Sequence, residues 1–292
     1  MSEFNFVSKE RIEKGWSGDK IYCAVDGQGN KYLFRVSPRE QYERKKKEYE
    51  LMQQVAGLDI PMRRPLEFGV CDEGVYFVQT WIDGVDAEEA VRVMTAKEQY
   101  TYGLESGRIL KEIHSIPAPE GTEDWESFFN RKVDRKIKMY QECPIKCENG
   151  QAFVDYINSH RHLLVNRPLT YQHGDYHIGN MMIGKDMRLY VIDFNRNDFG
   201  DPWEEFNRIV WCAQSAPVFA CGMVDGYFDK SVPVEFWELL ALYISSNTLS
   251  SVPWSIPFGE QEIEVMLNQA KEVLSWYDNM KNTVPSWYQK YN

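Results

Sequence analysis

Three polar side chains near the middle of the chain have the types and spacing for metal-dependent chemistry. Asp175 is followed five residues later by Asn180, and Asp193 comes 13 residues after Asn180, at the end of an apolar run over residues 189–192. Hard divalent cations prefer oxygen ligands such as carboxylate and carboxamide groups, so Asn180 and Asp193 together suit Mg²⁺. A further carboxylate, Asp175, could accept the proton of a reacting hydroxyl. The alternative is a turn in which these side chains only cap backbone groups.

This pattern resembles the catalytic loop of kinases. The motifs are His173-x-Asp175-x-x-x-x-Asn180 and Ile192-Asp193-Phe194, and through them the chain is identified as a member of the aminoglycoside phosphotransferase and choline kinase superfamily, small-molecule relatives of the protein kinases. Gly174 in place of arginine, and the missing glycine after Phe194, distinguish that superfamily. The resemblance implies that Asp175 is the catalytic base facing the acceptor hydroxyl and that Asn180 and Asp193 hold Mg²⁺.

The resemblance extends over most of the chain and gives meaning to weaker features. Gly200-Asp201-Pro202 matches a G-D-P segment of the family, in which the aspartate looks structural. Residues 109–114 resemble its L-x-x-L-H helix, which core packing explains equally well. No chemistry is therefore assigned to His114.

The family's phosphate-binding lysine is replaced here by an arginine. Kinases carry a lysine on the third strand that contacts the α- and β-phosphates and pairs with a glutamate of the following helix. Arg35 occupies the lysine position and Glu48 matches the glutamate. Arginine keeps its charge and can hold a phosphate with two donors, but its planar head is longer and wider than an ammonium group. The alternative is an ordinary surface Arg–Glu pair.

Two further segments are expected to contact the nucleotide. Ser17 lies in a glycine-containing stretch, residues 15–20, at the place where a phosphate-covering loop belongs, and glycines let backbone N–H groups approach an anion. Gln79 and Trp81 lie in residues 78–82, which the resemblance makes the hinge that binds the purine through its backbone. Because recognition through the backbone leaves little trace in the side chains, the sequence does not distinguish ATP from GTP as the phosphate donor.

The order of elements predicts an α+β, bilobal, protein-kinase-like fold. Two hairpins, over residues 20–36 and 66–82, flank one amphipathic helix at residues 41–55, which makes the N-terminal lobe mostly antiparallel β. Beyond Asp83-Gly84 the periodicity becomes largely helical, interrupted by a short β pair within residues 169–195. The predicted division is a nucleotide-binding lobe over residues 1–83, with a hinge at 78–84, and a catalytic and substrate-binding lobe over 84–292. The helical segments of the second lobe are 95–116, 125–140, 150–164, 204–213, 234–249 and 259–280.

Charge and composition narrow the class of partner. The net charge is −11, and residues 198–292 hold 13 acidic and five basic side chains. A field of this sign repels nucleic acid and anionic lipid. The first ten residues have no secretory pattern, no apolar segment is long enough to span a bilayer, and the six cysteines are scattered. These features predict a cytoplasmic protein that binds neither nucleic acid nor membrane, as a monomer or weak dimer.

The acceptor is expected to be a small cationic molecule. Asp198, Glu204 and Glu205 follow Asp193 closely and would bind ammonium groups, which favours an aminoglycoside antibiotic and a role in antibiotic resistance. The alternative for the two glutamates is favourable charge in the first turn of a helix after Pro202. Rival functions are a metabolite kinase for choline or an amino sugar, and a non-catalytic nucleotide-binding module. A protein kinase is disfavoured because no A-P-E segment follows Phe194.

Overall fold

The computed structural model of the protein describes residues 4–13 and 18–291. Contacts divide the chain into two compact units: the first consists of residues Met1–Ala90 and Asn180–Asn197, and the second of Val91–Gly179 and Asp198–Asn292. Ser17 lies outside the described residues, so its predicted part in a phosphate-covering loop stays a prediction.

Strands concentrate in the first unit and long helices in the second. The strands are β1 (Phe6–Ile12), β2 (Lys20–Asp26), β3 (Lys31–Ser37), β4 (Pro65–Cys71), β5 (Gly74–Thr80), β6 (Gly84–Asp86), β7 (Thr170–Gln172), β8 (Met181–Gly184), β9 (Leu189–Val191) and β10 (Asp198–Gly200). The helices are α1 (Tyr42–Ala56), α2 (Ala87–Val91), α3 (Ala96–Ile113), α4 (Trp125–Glu142), α5 (Gln151–His160), α6 (Ile209–Ser215), α7 (Pro217–Tyr227), α8 (Val234–Ser255) and α9 (Glu260–Trp276). None of the helices within the described residues combines the length and the apolar character needed to cross a membrane.

A five-stranded antiparallel sheet forms most of the first unit, in the order β1-β2-β3-β5-β4. The β2–β3 hairpin turns at Asp26, whose carboxylate accepts hydrogen bonds from the backbone N–H groups of Gln28 and Asn30 at 2.9 Å. Such self-bonding by a short polar side chain is why this composition predicts a turn. Both predicted hairpins are confirmed. The sheet's apolar cluster consists of Ala24, Phe34, Val36, Tyr76 and Val78.

Helix α1 packs against β4 and β5 and confirms the amphipathic helix predicted there. Its apolar stripe of Leu51, Met52 and Val55 is buried. Lys45 and Glu48 are buried on the same helix. Charged side chains are almost never fully buried unless they are paired, so these two must have partners inside the unit.

Residues Asn180–Asn197 belong to the first unit because their hairpin completes a second sheet there. Strand β8 pairs with β9 on one side and with β6 on the other. Val191 of β9 donates its N–H to the Pro61 carbonyl at 3.1 Å and accepts from the Arg63 N–H at 3.0 Å. The predicted division at residues 83/84 assigned this hairpin to the second lobe. The structure differs because β9 hydrogen-bonds to Pro61 and Arg63, and because β6, the neighbour of β8, itself belongs to the first unit, which extends to Ala90.

Helices α3 and α7 of the second unit pack so closely that glycine is required at their contact. A Cβ atom added to Gly103 would strike the Phe219 carbonyl, and one added to Gly226 would strike the backbone of Leu104. Helix α8 packs against α4 and α5 and is buried along most of its length. This scaffold supports the loop that follows β7.

The predicted fold class is confirmed, with shifts at element ends. The helices predicted in the second lobe correspond to α3, α4, α5, α8 and α9. The segment predicted as a helix over residues 204–213 begins as a 3₁₀ helix, Glu204–Arg208, and continues as α6. The segment predicted over 150–164 is α5 followed by a 3₁₀ turn, Arg161–Leu164. Strand β1 and helix α7 were not predicted from the sequence.

Candidate active site

The hairpin of β8 and β9 brings the two proposed metal ligands together. Asn180 directly precedes β8, Asp193 lies two residues beyond β9, and the Asn180 carbonyl accepts from the Ile192 N–H at 3.0 Å. Asp193 has a φ of 66°, the left-handed region, which aspartate tolerates better than most residues. Two residues separated by 13 positions therefore lie at one end of one hairpin, as the spacing predicts.

These two residues fit a hard divalent cation. Both side chains offer oxygen donors and both are half-buried, the Asp193 side chain being 31% exposed. Within the part of the chain that the structure describes, no cluster of three or more histidine, cysteine, aspartate or glutamate side chains could hold a metal. Asn180 and Asp193 would hold Mg²⁺ through one or two protein ligands together with phosphate oxygens of a nucleotide, the usual manner for this ion.

Arg35 on β3 orients the Asp193 carboxylate. Its Nη2 lies 3.3 Å from Asp193 Oδ1, its Nη1 lies 3.9 Å from Asp19 Oδ2, and its buried Nε has no hydrogen-bond partner among residues 4–13 and 18–291. The expected pair of Arg35 with Glu48 is not formed, because Lys45, one turn earlier on α1, lies 3.2 Å from Glu48. Arg35 and Glu48 are 8% and 6% exposed, which rules out the alternative of an ordinary surface pair.

Asp19 links the two cations of the first unit. It accepts a hydrogen bond from Lys45 at 2.9 Å. Burial raises the pKa of the Asp19 carboxyl, but the hydrogen bond and charge of Lys45, helped by Ser37 and Arg35, outweigh burial and lower the pKa below its ordinary value. The carboxylate is thus ionised at neutral pH, and it holds Lys45 and Arg35 in place.

A second arginine, Arg63, lies near Asp193 and was not predicted from the sequence. Burial and the charge of Arg35 together lower the pKa of its guanidinium to about 10, against the opposing effects of Asp193 and Asp86. Its Nε is buried without a partner among the described residues. It lies next to Arg64 in a loop between Pro61 and Pro65, where basic residues carry no periodic signal. The first unit thus places two guanidinium groups, those of Arg35 and Arg63, near Asp193.

In the second unit, the loop after β7 is held by Glu205. Both Glu205 carboxylate oxygens accept from the Gly174 N–H, at 3.0 and 3.1 Å, and one accepts from the Tyr176 N–H at 3.4 Å. The Tyr176 hydroxyl donates to the Ser106 carbonyl at 2.8 Å. Gly174 has a φ of 84°, a conformation that arginine, the protein-kinase residue at this position, would adopt only with strain.

Asp175 sits on this braced loop between two basic side chains. Its Oδ1 lies 3.3 Å from Arg208 Nε and 3.8 Å from His177 Nε2, and its side chain is 17% exposed. Arg208 ends the 3₁₀ helix that also carries Glu205, so one short element both supports the loop and contacts its carboxylate. The arrangement leaves a partly exposed, fixed carboxylate of the kind a general base requires.

Asp201 is buried in the core of the second unit, in keeping with a structural role. Its carboxylate accepts from Arg167 at 2.6 and 3.1 Å and from the Tyr243 hydroxyl at 2.5 Å. His114 accepts or donates a hydrogen bond at 3.0 Å with the Tyr227 hydroxyl and lies 3.9 Å from Glu205. Neither residue is placed for direct chemistry.

The carboxylates expected to bind a cationic acceptor are largely engaged by the protein itself. Glu205 is 2% exposed and supports the Asp175 loop. Glu204 lies 3.0 Å from Lys132 Nζ, and Asp198 is exposed but accepts from the Phe199 N–H at 2.9 Å. The structure therefore does not assemble these three side chains into an acidic pocket, because the glutamates satisfy internal donors.

The side chains of the predicted hinge face the first unit. Gln79 is buried and donates to Met52 Sδ at 3.2 Å, while Trp81 Nε1 donates to Asp83 at 3.1 Å. Purine recognition by residues 78–82 would thus use the backbone, as predicted, and remains a proposal.

Removing the Glu205 carboxylate is expected to destabilise the second unit. Glu205→Ala leaves the Gly174 and Tyr176 N–H groups without their acceptor, so the free energy of unfolding should fall by about 3 kcal/mol. Glu205→Gln, which keeps one acceptor oxygen, should lose less. Urea denaturation measures both, with Glu264→Ala on the exposed side of α9 as the matched control. Wild-type stability of Glu205→Ala would contradict the bracing role.

The two-unit α+β fold, with Asn180 and Asp193 on a hairpin of the first unit and Asp175 on a braced loop of the second, is that of the protein-kinase-like phosphotransferases. The sequence model of the Phosphotransferase enzyme family, APH, matches residues 9–237. The chain belongs to this family, which confirms the resemblance drawn from residues 173–194. No protein of curated function matches the sequence.

Solved structures share this fold over nearly the whole chain. The GDP complex of wild-type aminoglycoside 2'-phosphotransferase-IIIa has 13% identity and a TM-score of 0.68, covering 94% of each chain. A thermostable mutant of aminoglycoside phosphotransferase APH(4)-Ia, in a ternary complex with AMP-PNP and hygromycin B, has 14% identity and a TM-score of 0.68, covering 93% of this chain and 94% of that one. A choline/ethanolamine kinase family protein from Mesorhizobium loti has 14% identity and a TM-score of 0.66, covering 94% and 91%.

Proposed function

We propose that this phosphotransferase is a kinase that transfers the γ-phosphate of ATP or GTP to a hydroxyl of a small molecule. The observation that carries the proposal is that Asp193 and Asp175, the two carboxylates proposed to function, are each held in place by other residues. Asp193 is held by Arg35 at 3.3 Å beside Asn180, and Asp175 is partly exposed on a loop that Glu205 fixes through backbone N–H groups. A non-catalytic nucleotide-binding module has no need of a fixed base, so this arrangement favours catalysis.

The first unit supplies the nucleotide-binding half of the proposed reaction. Asn180 and Asp193 would hold Mg²⁺, which when bound neutralises charge on the β- and γ-phosphates. Arg35 replaces the family's lysine and, with Arg63 nearby, offers positive charge to phosphate oxygens. Lys45 is committed to Asp19 and Glu48, so it positions Arg35 through Asp19 instead of binding phosphate.

The second unit supplies the base. Asp175 orients the acceptor hydroxyl and takes its proton as the oxygen attacks the γ-phosphorus. The new oxygen–phosphorus bond forms while the bond to the β-phosphate oxygen breaks, and the nucleoside diphosphate leaves with that electron pair. Arg208, whose Nε lies 3.3 Å from Asp175 Oδ1, holds this carboxylate in position.

The solved relatives support a nucleotide donor, since they are described with GDP and with AMP-PNP. For the acceptor they include an enzyme bound to hygromycin B and a choline/ethanolamine kinase family protein. An aminoglycoside, choline or an amino sugar is therefore an acceptor to test. Glu204 and Glu205, which favoured a cationic acceptor in the sequence, are paired with groups of the protein itself. The sign of the acceptor's charge must therefore be inferred from other residues of the second unit.

A panel of acceptors tests this function. Purified protein with Mg²⁺ and γ-labelled ATP or GTP should phosphorylate at least one hydroxyl compound among kanamycin, gentamicin, choline, hexosamines and hydroxylated carboxylates or phosphates. Label transfer measured by thin-layer chromatography reports the reaction, and Mg²⁺ removal by EDTA should abolish it. A chain that binds neither nucleotide in the presence of Mg²⁺ would refute the proposal.

A further inference from the structure

Helix α4 carries a concentration of positive charge. Five basic side chains fall within residues 131–138, opposed in that stretch by Asp134 alone. They are Arg131, Lys132, Arg135, Lys136 and Lys138. Arg131 and Lys138 pair with nearby glutamates at the exposed surface. Lys132, Arg135 and Lys136 are spaced three and four residues apart, so they share one side of the helix.

This side of α4 contacts the short 3₁₀ helix that also contacts the proposed base. Lys132 Nζ is 3.0 Å from Glu204 Oε1, and Glu204 begins the short 3₁₀ helix that ends at Arg208. Arg208 in turn contacts Asp175 at 3.3 Å. Arg135 and Lys136 have no ion-pair or hydrogen-bond partner among the described residues. They lie on the side of α4 whose Lys132 contacts Glu204, in the same 3₁₀ helix as Arg208, the residue that contacts Asp175.

The electrostatics of Lys136 show that this positive charge is not balanced. Burial and the charges of Lys132, Arg208 and Arg135 together lower the pKa of its ammonium group to about 7, while the charge of Glu204 acts in the opposite direction. The positive charge of Lys132, Arg135 and Arg208 around Lys136 therefore exceeds the negative charge of Glu204, and Lys136, whose pKa is near neutrality, adds part of a charge. An anion bound here would gain attraction from this surplus, while an ammonium group would meet repulsion.

We infer that the acceptor carries an anionic group, a carboxylate or a phosphate, near the hydroxyl that is phosphorylated. Arg135, Lys136 and Arg208 would bind this group and so present the hydroxyl to Asp175. Guanidinium and ammonium donors suit both kinds of anion, through charge-assisted hydrogen bonds. The inference rests on the proposed function for its catalytic site and names the class of acceptor.

Calorimetry with two simple anions tests it. The protein is first saturated with Mg²⁺ and AMP-PNP, so that the nucleotide site is filled, and is then titrated with inorganic phosphate or with D-gluconate. Wild type should bind at least one of them, and the one it binds identifies the anion. Lys136→Gln and Arg135→Gln should each weaken that binding by about tenfold, the effect of one charge-assisted contact. Lys138→Gln, an exposed change of the same type on the same helix, should not.

The outcomes separate the inference from the function. A wild type that binds AMP-PNP but neither anion overturns the inference and leaves the kinase function standing. Anion binding that neither variant weakens, or tighter binding of kanamycin than of either anion, also overturns it. A wild type that does not bind AMP-PNP contradicts both. Arg135 is exposed, so its variant is expected to fold even if Lys136→Gln does not.

Discussion

Asp175→Asn is expected to lower kcat for phosphoryl transfer by roughly 100-fold or more while nucleotide affinity stays within about twofold. Asparagine has the same shape and keeps contact with Arg208, but its carboxamide cannot take the acceptor proton. The nucleotide half of the proposed site lies in the other unit, on Asn180 and Asp193, so binding of Mg²⁺ and AMP-PNP should be unaffected.

Steady-state kinetics with the best acceptor, and calorimetry with AMP-PNP, measure the two effects separately. Asp229→Asn is the matched control, because Asp229 is exposed in the same unit and pairs with Lys111 at the surface. Turnover of Asp175→Asn at the wild-type rate would show that Asp175 is not the base. Loss of nucleotide binding together with turnover would instead indicate damage to the fold.

The loop and the hairpin that carry the proposed catalytic and metal-binding residues could be predicted because their signal is local. Asp175 and Asn180 are fixed by spacing within one loop, and the apolar run before Asp193 predicts the strand that carries it. Because a short hairpin connects Asn180 to Asp193, the two residues are expected to lie close together. The structure confirms that the backbones of residues 180 and 192 are hydrogen-bonded.

Elements without a periodic pattern escaped prediction. Strand β1 exposes most of its side chains, so it lacks the alternation of a half-buried strand and depends on pairing with β2. Helix α7 is buried on nearly all sides, so it lacks an amphipathic stripe. In both cases tertiary contacts, which a single sequence does not display, decide the structure.

Side-chain pairing was the least predictable part of the site. The sequence placed Glu48 opposite Arg35 by analogy, yet Lys45 lies one turn from Glu48 and takes that role. Arg35, with the longer reach, contacts Asp19 and Asp193 instead. Arg35 thus replaces the family's lysine on β3, and a buried lysine, Lys45, pairs with Glu48 instead. Only distances in the folded protein reveal this exchange of partners.

The charge of a segment also proved a poor guide to the charge of a site. Residues 198–292 are strongly acidic, but Asp201 pairs with Arg167 and Glu204 with Lys132. Two of the cations that act on Glu204, Lys132 and Lys136, come from α4, in a part of the chain whose net charge is near zero. Electrostatic attraction acts over a few ångströms at physiological salt, so the local arrangement outweighs the sum along the sequence.

Asp193→Ala should weaken Mg²⁺-dependent binding of AMP-PNP by roughly 100-fold, because it removes a charged metal ligand and the partner of Arg35. Alanine also fits the left-handed backbone of residue 193 less well, at a cost of about 1 kcal/mol in folding free energy. Asp193→Asn separates these effects: asparagine tolerates that conformation and keeps one oxygen donor, so it should fold like wild type and bind nucleotide with intermediate affinity.

Calorimetric titration of AMP-PNP with Mg²⁺, and again with EDTA, isolates the metal-dependent part of the affinity for both variants. Asp186→Asn, an exposed aspartate in the turn of the same hairpin, is the control and should match wild type. Equal metal-dependent affinity in wild type, Asp193→Asn and Asp193→Ala would remove Asp193 from the metal site. Because the loss should appear without any acceptor, this result bears on the nucleotide half of the mechanism alone, and together with Asp175→Asn it assigns binding and proton transfer to different units of the chain.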